Sequence, residues 1–239
     1  MTGRPLAMAE GEYCSALCPM SDSDKVLFGK TDKFGDATSI IAWDLMGNQM
    51  IKEMRYDAPV GNNDYISYLN KSKNDRYIIA GFTNSFDNNA EFMTFDMTLT
   101  SYNISEPAML KLDANPEVTA VLPKDEAVTG LRNGDLVIWN IRTAQPSRQL
   151  LGSGGTHAHS KEVKCVSLSE DGHYLVSGSA DGTLKVWDMH TERPIHTLQG
   201  HTDEVCKLTF VFYLNLKLHL IFVYRTDKRY IYYVLLLFY

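Results

Sequence analysis

Cysteine is scarce in this chain: four occur in 239 residues, at positions 14, 18, 165 and 206. Cys14 and Cys18 make one C-x3-C pair with no second pair behind it, short of the four ligands that close a structural zinc site, so no metal is expected. No disulfide framework is implied, and the four read as reduced thiols. No uninterrupted apolar run reaches the roughly 20 residues that a transmembrane helix needs. In the most apolar stretch, 211–239, Asn215, Lys217 and His219 break the first half, and residues 225–229 split it from the second. A membrane partner is therefore not expected. The opening MTGRPLAMAEGEY has no apolar segment of signal-peptide length, and a reducing, cytoplasmic setting follows. The Gly-rich run LGSGGTHAHS at 151–160 contains no lysine and is no phosphate loop, which leaves it as a flexible connector. Basic residues are the minority, 23 against 29 acidic, for a net charge of -6. The segment from 211 onward carries four basic residues and one acidic, so the body is more acidic still, an argument against a nucleic-acid partner.

What the sequence does have is a regular unit at residues 163–201, VKCVSLSEDGHYLVSGSADGTLKVWDMHTERPIHTLQGH. A first strand is expected over 163–168. Ser-Glu-Asp-Gly at 169–172 supplies a turn, because aspartate caps locally and glycine takes positive φ. A second strand over 173–178 follows, Asp181-Gly182 marks the next hairpin, and a third strand over 183–188 alternates Leu184 and Val186 against Lys185 and Trp187. Pro194 opens a fourth, outer strand over 195–199, where a missing N–H is tolerated.

The same spacing recurs upstream. Third-strand landmarks stand at Trp43-Asp44, Phe95-Asp96, Trp139-Asn140 and Trp187-Asp188, and second strands align as VLFG, YIIAG, AVTG and LVSG. With Gly-His at 200–201, Trp-Asp at 187–188 and a period of about 42 residues, the central unit resembles a WD repeat, one blade of a β-propeller. The resemblance implies an all-β fold, an incomplete WD-repeat β-propeller of about four blades plus the first strand of a fifth. Blade repeats fall near 13–65, 66–117, 118–162 and 163–204, and a fifth begins at 205. It also implies a buried hydrogen-bonded set, here His159, Ser177, Asp181 and Trp187. In the third unit Thr129 and Trp139 stand at the matching positions, but Asn133 replaces the aspartate and Ala114 falls where the histidine belongs, so its network is expected to be incomplete.

A serine, a histidine and an aspartate also invite reading as a nucleophilic triad. A triad needs an exposed nucleophile, an oxyanion hole and a cleft, and the repeat places these residues inside a blade. No catalytic residues, no cofactor and no small-molecule substrate are expected. In the first two units the second-strand glycine lies 14 residues before the landmark aromatic instead of 9, which reads as a longer loop carrying Phe34 or Phe86 amid polar residues. Each phenylalanine either folds over its own blade or anchors a partner. The family binds peptides and protein domains on the face bearing the second-hairpin loops and the loops before each first strand. That implies Phe34, Phe86, Arg132, Ala180, Lys161, Glu162, Asp203 and Glu204 as partner-binding residues.

The repeat register ends at Phe210. Residues 211–239 use the residue types that A/T-rich codons specify, and Val211 stands where a splice donor would follow. The segment reads as translated intron, with extra strands or a membrane span as the competing readings. Three functions follow: a non-catalytic protein-interaction scaffold; the sensor propeller of a signalling ATPase similar to the NACHT and WD-repeat proteins; or a truncated gene product with no function of its own.

Overall fold

A computed structural model describes residues 13–22, 24–31, 37–57, 64–84, 90–98, 108–110, 116–152, 154–169, 171–199, 207–213, 218–224 and 231–237. Among these residues there is no helix, hence none long and apolar enough to cross a membrane. The molecule divides into two compact units, Met1–Leu110 and Lys111–Tyr239.

The first unit holds two antiparallel four-stranded meanders. One is β1 (Tyr13–Pro19), β2 (Lys25–Thr31), β3 (Ala37–Asp44) and β4 (Gln49–Asp57); the other is β5 (Asp64–Lys71), β6 (Tyr77–Asn84), β7 (Ala90–Asp96) and β8 (Ala108–Leu110). The second unit repeats the pattern with β9 (Pro116–Leu122), β10 (Glu126–Leu131), β11 (Leu136–Asn140) and β12 (Gln145–Leu150), then β13 (Val163–Leu168), β14 (Tyr174–Ser179), β15 (Leu184–Asp188) and β16 (Arg193–Leu198). In every four-stranded sheet the strands lie in sequence order. Short polar turns with Gly, Asp and Asn between apolar strands select this up-and-down order, since two-residue to five-residue loops can only join antiparallel neighbours.

Burial follows the repeat. The second and third strands of each blade are the most covered, with Leu27, Ile78, Val128 and Val176 almost fully buried, while the fourth strands β12 and β16 are largely exposed edges. Each fully buried aliphatic side chain contributes about 1.5–3 kcal/mol, so the inner strands carry the fold. Within each unit the first strand of the later blade packs on the earlier one: β5 lies against β1 and β2, and β13 against β9 and β10. The aligned second-strand glycine is what admits it. A Cβ on Gly29 would sit 2.8 Å from Ile66 Cβ, and one on Gly130 would sit 2.6 Å from Val163 Cγ1.

The landmark pair has two jobs. A bulge falls at the aromatic in three blades, at Trp43, Trp139 and Trp187, where the fourth strand slips one residue. The acid or amide that follows caps the next turn. Asp44 accepts from the Met46 and Gly47 N–H groups, Asp96 from Thr98, Asn140 from Arg142 and Thr143, and Asp188 from His190 and Thr191. Only an acceptor oxygen is required, which is why Asn140 serves as well as aspartate.

The long second hairpins of the first two blades are mostly strand, not loop. The β2–β3 ladder runs from Lys25↔Asp44 to Thr31↔Thr38 and β6–β7 from Tyr77↔Asp96 to Thr83↔Ala90, seven pairs each, against five from Glu126↔Asn140 to Gly130↔Leu136. Two added pairs absorb four of the five extra residues. The repeat register ends within β17 (Lys207–Tyr213), which with β18 (Leu218–Tyr224) and β19 (Ile231–Leu237) forms a three-stranded antiparallel meander whose first strand lies against β13 and β14. Runs rich in Val, Ile, Leu, Phe and Tyr favour strand wherever a sheet edge accepts them.

Candidate functional site

In the fourth blade the structure brings His159, Ser177, Asp181 and Trp187 into one series of hydrogen bonds. Trp187 Nε1 donates to Ser177 Oγ at 2.9 Å, and Ser177 Oγ lies 2.7 Å from His159 Nε2. His159 Nδ1 faces Thr183 Oγ1 at 3.1 Å and Asp181 Oδ2 at 3.3 Å. The Asp181 carboxylate can only accept, and that sets the tautomer of the neutral ring. Nδ1 carries the hydrogen towards the carboxylate, so Nε2 accepts from the Ser177 hydroxyl, whose oxygen in turn accepts the indole proton. Asp181 then accepts from the Ser160 N–H at 3.0 Å, the Thr183 N–H at 2.9 Å and the Thr183 hydroxyl at 2.6 Å.

The electrostatics agree with a neutral imidazole. Burial pushes the His159 pKa down to about 4, the Asp181 carboxylate opposes that shift, and Lys185 adds to it. For Asp181 burial works to raise the pKa, but the hydrogen bonds from Thr183 and the Ser160 and Thr183 backbone outweigh it and the pKa falls. Although the order Ser177–His159–Asp181 has the spacing of a nucleophilic triad, Ser177 is completely buried and its oxygen already accepts from the indole. No substrate carbonyl can approach it, so this set holds a hairpin in register instead.

The third blade solves the same problem with fewer parts. Trp139 Nε1 donates to Thr129 Oγ1 at 2.8 Å, and Thr119 Oγ1 lies 2.7 Å from Thr129 Oγ1. Thr119, on the first strand, takes the place of the missing histidine; Ala114 lies outside the described residues. Asn133 donates to Asp135 at 2.7 Å, and His157 Nδ1 lies 2.7 Å from the other oxygen of Asp135. Spacing alone marked neither Thr119, Thr183 nor Asp135, because a threonine or aspartate in a turn carries no periodic signal.

Residues 151–160 are a built loop. Gly152 N–H donates to Thr156 O, Gly155 N–H to Gly152 O and His159 N–H to Gly134 O, and Ala158 is fully buried. Its end and the next hairpin are joined: the Ala180 N–H donates to Glu162 O at 3.0 Å, and Ser179 Oγ to Lys161 O at 3.1 Å. Gly134, at φ +90, passes beneath the same backbone, where a Cβ would lie 2.3 Å from His159 O and 2.8 Å from Lys161 O. Arg132 and Lys161 are exposed and Glu162 and Ala180 half-buried on this surface, with Glu162 ion-paired to Lys164. The structure thus joins Lys161 and Glu162 to the hairpin at Ser179 and Ala180, with Arg132 two residues before Gly134 in the turn beneath. Phe34, Phe86, Asp203 and Glu204 lie outside the described residues, as does Cys206. Cys14 is exposed, Cys18 and Cys165 are buried, and all three are free; among the described residues no cluster of His, Cys, Asp and Glu is arranged to hold a metal.

Comparison with known proteins returns the same architecture. Residues 148–188 match the family model described as "WD domain, G-beta repeat". The sequence is 40% identical over 75 residues to coatomer subunit beta'-1 of Arabidopsis thaliana, covering 30% of this protein and 8% of that one. It is 27% identical over 157 residues to restriction of telomere capping protein 1 of Candida albicans, covering 64% and 13%. It is 25% identical over 167 residues to the WD repeat-containing protein fzy-1 of Caenorhabditis elegans, covering 65% and 32%. The match therefore spans less than a third of the length of each of these relatives. Among solved structures, a component of the crystal structure of the mitotic checkpoint complex aligns with a TM-score of 0.60 at 16% identity, covering 82% of this protein and 53% of that component, which speaks to the fold. The matched repeat, the blade-by-blade strand order and the buried Trp–Ser–His–Asp series together identify a WD repeat at residues 148–188, within an all-β fold of four-stranded antiparallel sheets like those of a β-propeller.

Proposed function

We propose that the protein is a non-catalytic interaction module that binds protein or peptide partners through the junction surface of its third and fourth blades. The observation that carries this reading is the lock between loop and hairpin: Ala180 to Glu162, Ser179 to Lys161 and Gly134 under His159. A surface whose backbone is fixed by hydrogen bonds presents side chains at low entropic cost, which favours affinity. Arg132 and Lys161 are its exposed cationic contacts, matching partners with acidic segments. Phe34, Phe86, Asp203 and Glu204 extend the same reading to the corresponding loops of other blades.

The test compares affinity capture by the wild-type protein with capture by Arg132→Glu/Lys161→Glu, after circular dichroism shows the same fold and melting temperature. Loss of specific captured proteins, identified by mass spectrometry and rebound in purified form, supports the reading. An unchanged captured set refutes it.

A further inference from the structure

Beside the junction lies a polar groove of about 340 Å³ in the second unit, whose lining includes Asn133, His157, Asp181, Lys185, Thr197 and Gln199. Strand register explains its floor. Ser177, Lys185 and Thr197 are direct cross-strand neighbours on β14, β15 and β16, so one face carries them in a row from the buried network out to the edge. Lys185 is half-buried, and its ammonium makes no hydrogen bond or ion pair among the described residues. The groove's other ionisable groups are engaged: Asp181 accepts from Ser160 and Thr183, His157 is bound to Asp135, and His159 is neutral.

A half-buried ammonium in no ion pair or hydrogen bond among the described residues, next to a hydroxyl and an amide that also lack partners there, is an incomplete ion site. We propose that the groove receives one carboxylate of a protein partner, from an aspartate or glutamate side chain or from a free C-terminus. Lys185 supplies the counter-charge, and Thr197 and Gln199 the neutral donors. A phosphate dianion does not suit it, because Lys185 balances one negative charge and the second would face the Asp181 carboxylate in the groove wall uncompensated. This inference rests on the interaction reading above and gives it a chemical specificity.

The probe is a phage-displayed library of random dodecapeptides panned against the full-length protein, with selected sequences then synthesised and measured by fluorescence polarisation. An acidic residue is expected at a constant position. Replacing it with its amide, or making Lys185→Met in the protein, should weaken binding by about ten- to a hundredfold, and the two changes together should cost little more than either. Lys185→Gln repeats the measurement if the methionine variant does not fold, and Lys185→Arg should retain most of the affinity. Amidated and free-acid forms of each peptide separate a terminal from a side-chain carboxylate. Equal affinity for wild type and Lys185→Met overturns the proposal, as does tighter binding when phosphoserine replaces the acid, or a failure to select any peptide. Peptides selected without an acid that are blocked by Arg132→Glu/Lys161→Glu would overturn the groove while leaving the interaction reading in place.

Discussion

Replacing Ser177 with alanine isolates the buried network, because this one hydroxyl serves two buried rings. Its loss leaves the Trp187 indole N–H without an acceptor and His159 Nε2 without a donor. An unsatisfied buried donor costs about 1–3 kcal/mol and a lost neutral hydrogen bond about 1, for a total of about 2–4 kcal/mol. Ser177→Thr should recover at least half of that, since Thr129 holds Trp139 in the same way one blade earlier. Trp187→Phe with Ser177→Ala should be less destabilising than the sum of the two, because the double variant removes both ends of one bond. Urea unfolding followed by far-UV circular dichroism reads the differences as shifts in midpoint at constant slope. A cost below about 1 kcal/mol for Ser177→Ala, or additivity within about 0.3 kcal/mol in the pair, would refute the bond series through Ser177.

Acid should destabilise the fold through His159. Its folded pKa, about 4, lies below the ordinary 6.5, so the unfolded state takes up a proton that the folded state refuses. Stability contributed by the neutral ring is complete above pH 6.5 and falls as pH drops towards 4, by about 3 kcal/mol, and His159→Gln should flatten that limb of a pH series of urea midpoints. Gly134→Ala should cost about 3 kcal/mol, from a disfavoured positive φ and a Cβ driven into His159 O, measured by the same unfolding assay. Gly130→Ala should cost about 1–3 kcal/mol by displacing Val163, and a neutral result would show that the blades do not seat on this notch. Asn140→Asp should fold with stability within about 0.5 kcal/mol of wild type, whereas Asn140→Ala should lose about 1, because the turn needs only an acceptor.

The fold was legible wherever a side chain recurs at fixed spacing for a single physical reason. Gly29 and Gly130 mark where the next blade presses, and the Trp-Asp pairs mark a ring to bury and a turn to cap. The Ser–His–Asp–Trp set was legible through resemblance, and its geometry shows why the triad reading fails. Less was legible where the same number of residues can be spent in two ways. Five extra residues between Gly29 and Trp43 look like a loop from spacing, yet four of them enter the ladder as the pairs Lys30↔Ser39 and Thr31↔Thr38. Residues 151–160 look flexible from their glycines, yet the positive-φ glycines make a turn that hydrogen bonds close. Thr119 and Lys185 were invisible, since their roles depend on which residue stands across the ladder.

The position of the network relative to the surface joins stability to recognition. His159 ends the loop between the blades, and its Nδ1 side anchors the Asp181 turn, so the backbones of Lys161, Glu162 and Ala180 are fixed by bonds that begin at a buried tryptophan. Lys185 stands one cross-strand step from Ser177 and inherits that rigidity. A change such as Ser177→Ala therefore loosens the Ala180 hairpin and the Lys185 groove in the same event. Partner affinity should fall with the network even though none of its four side chains need touch a partner, and Thr119 or Thr129 variants in the third blade should leave the Lys185 groove intact.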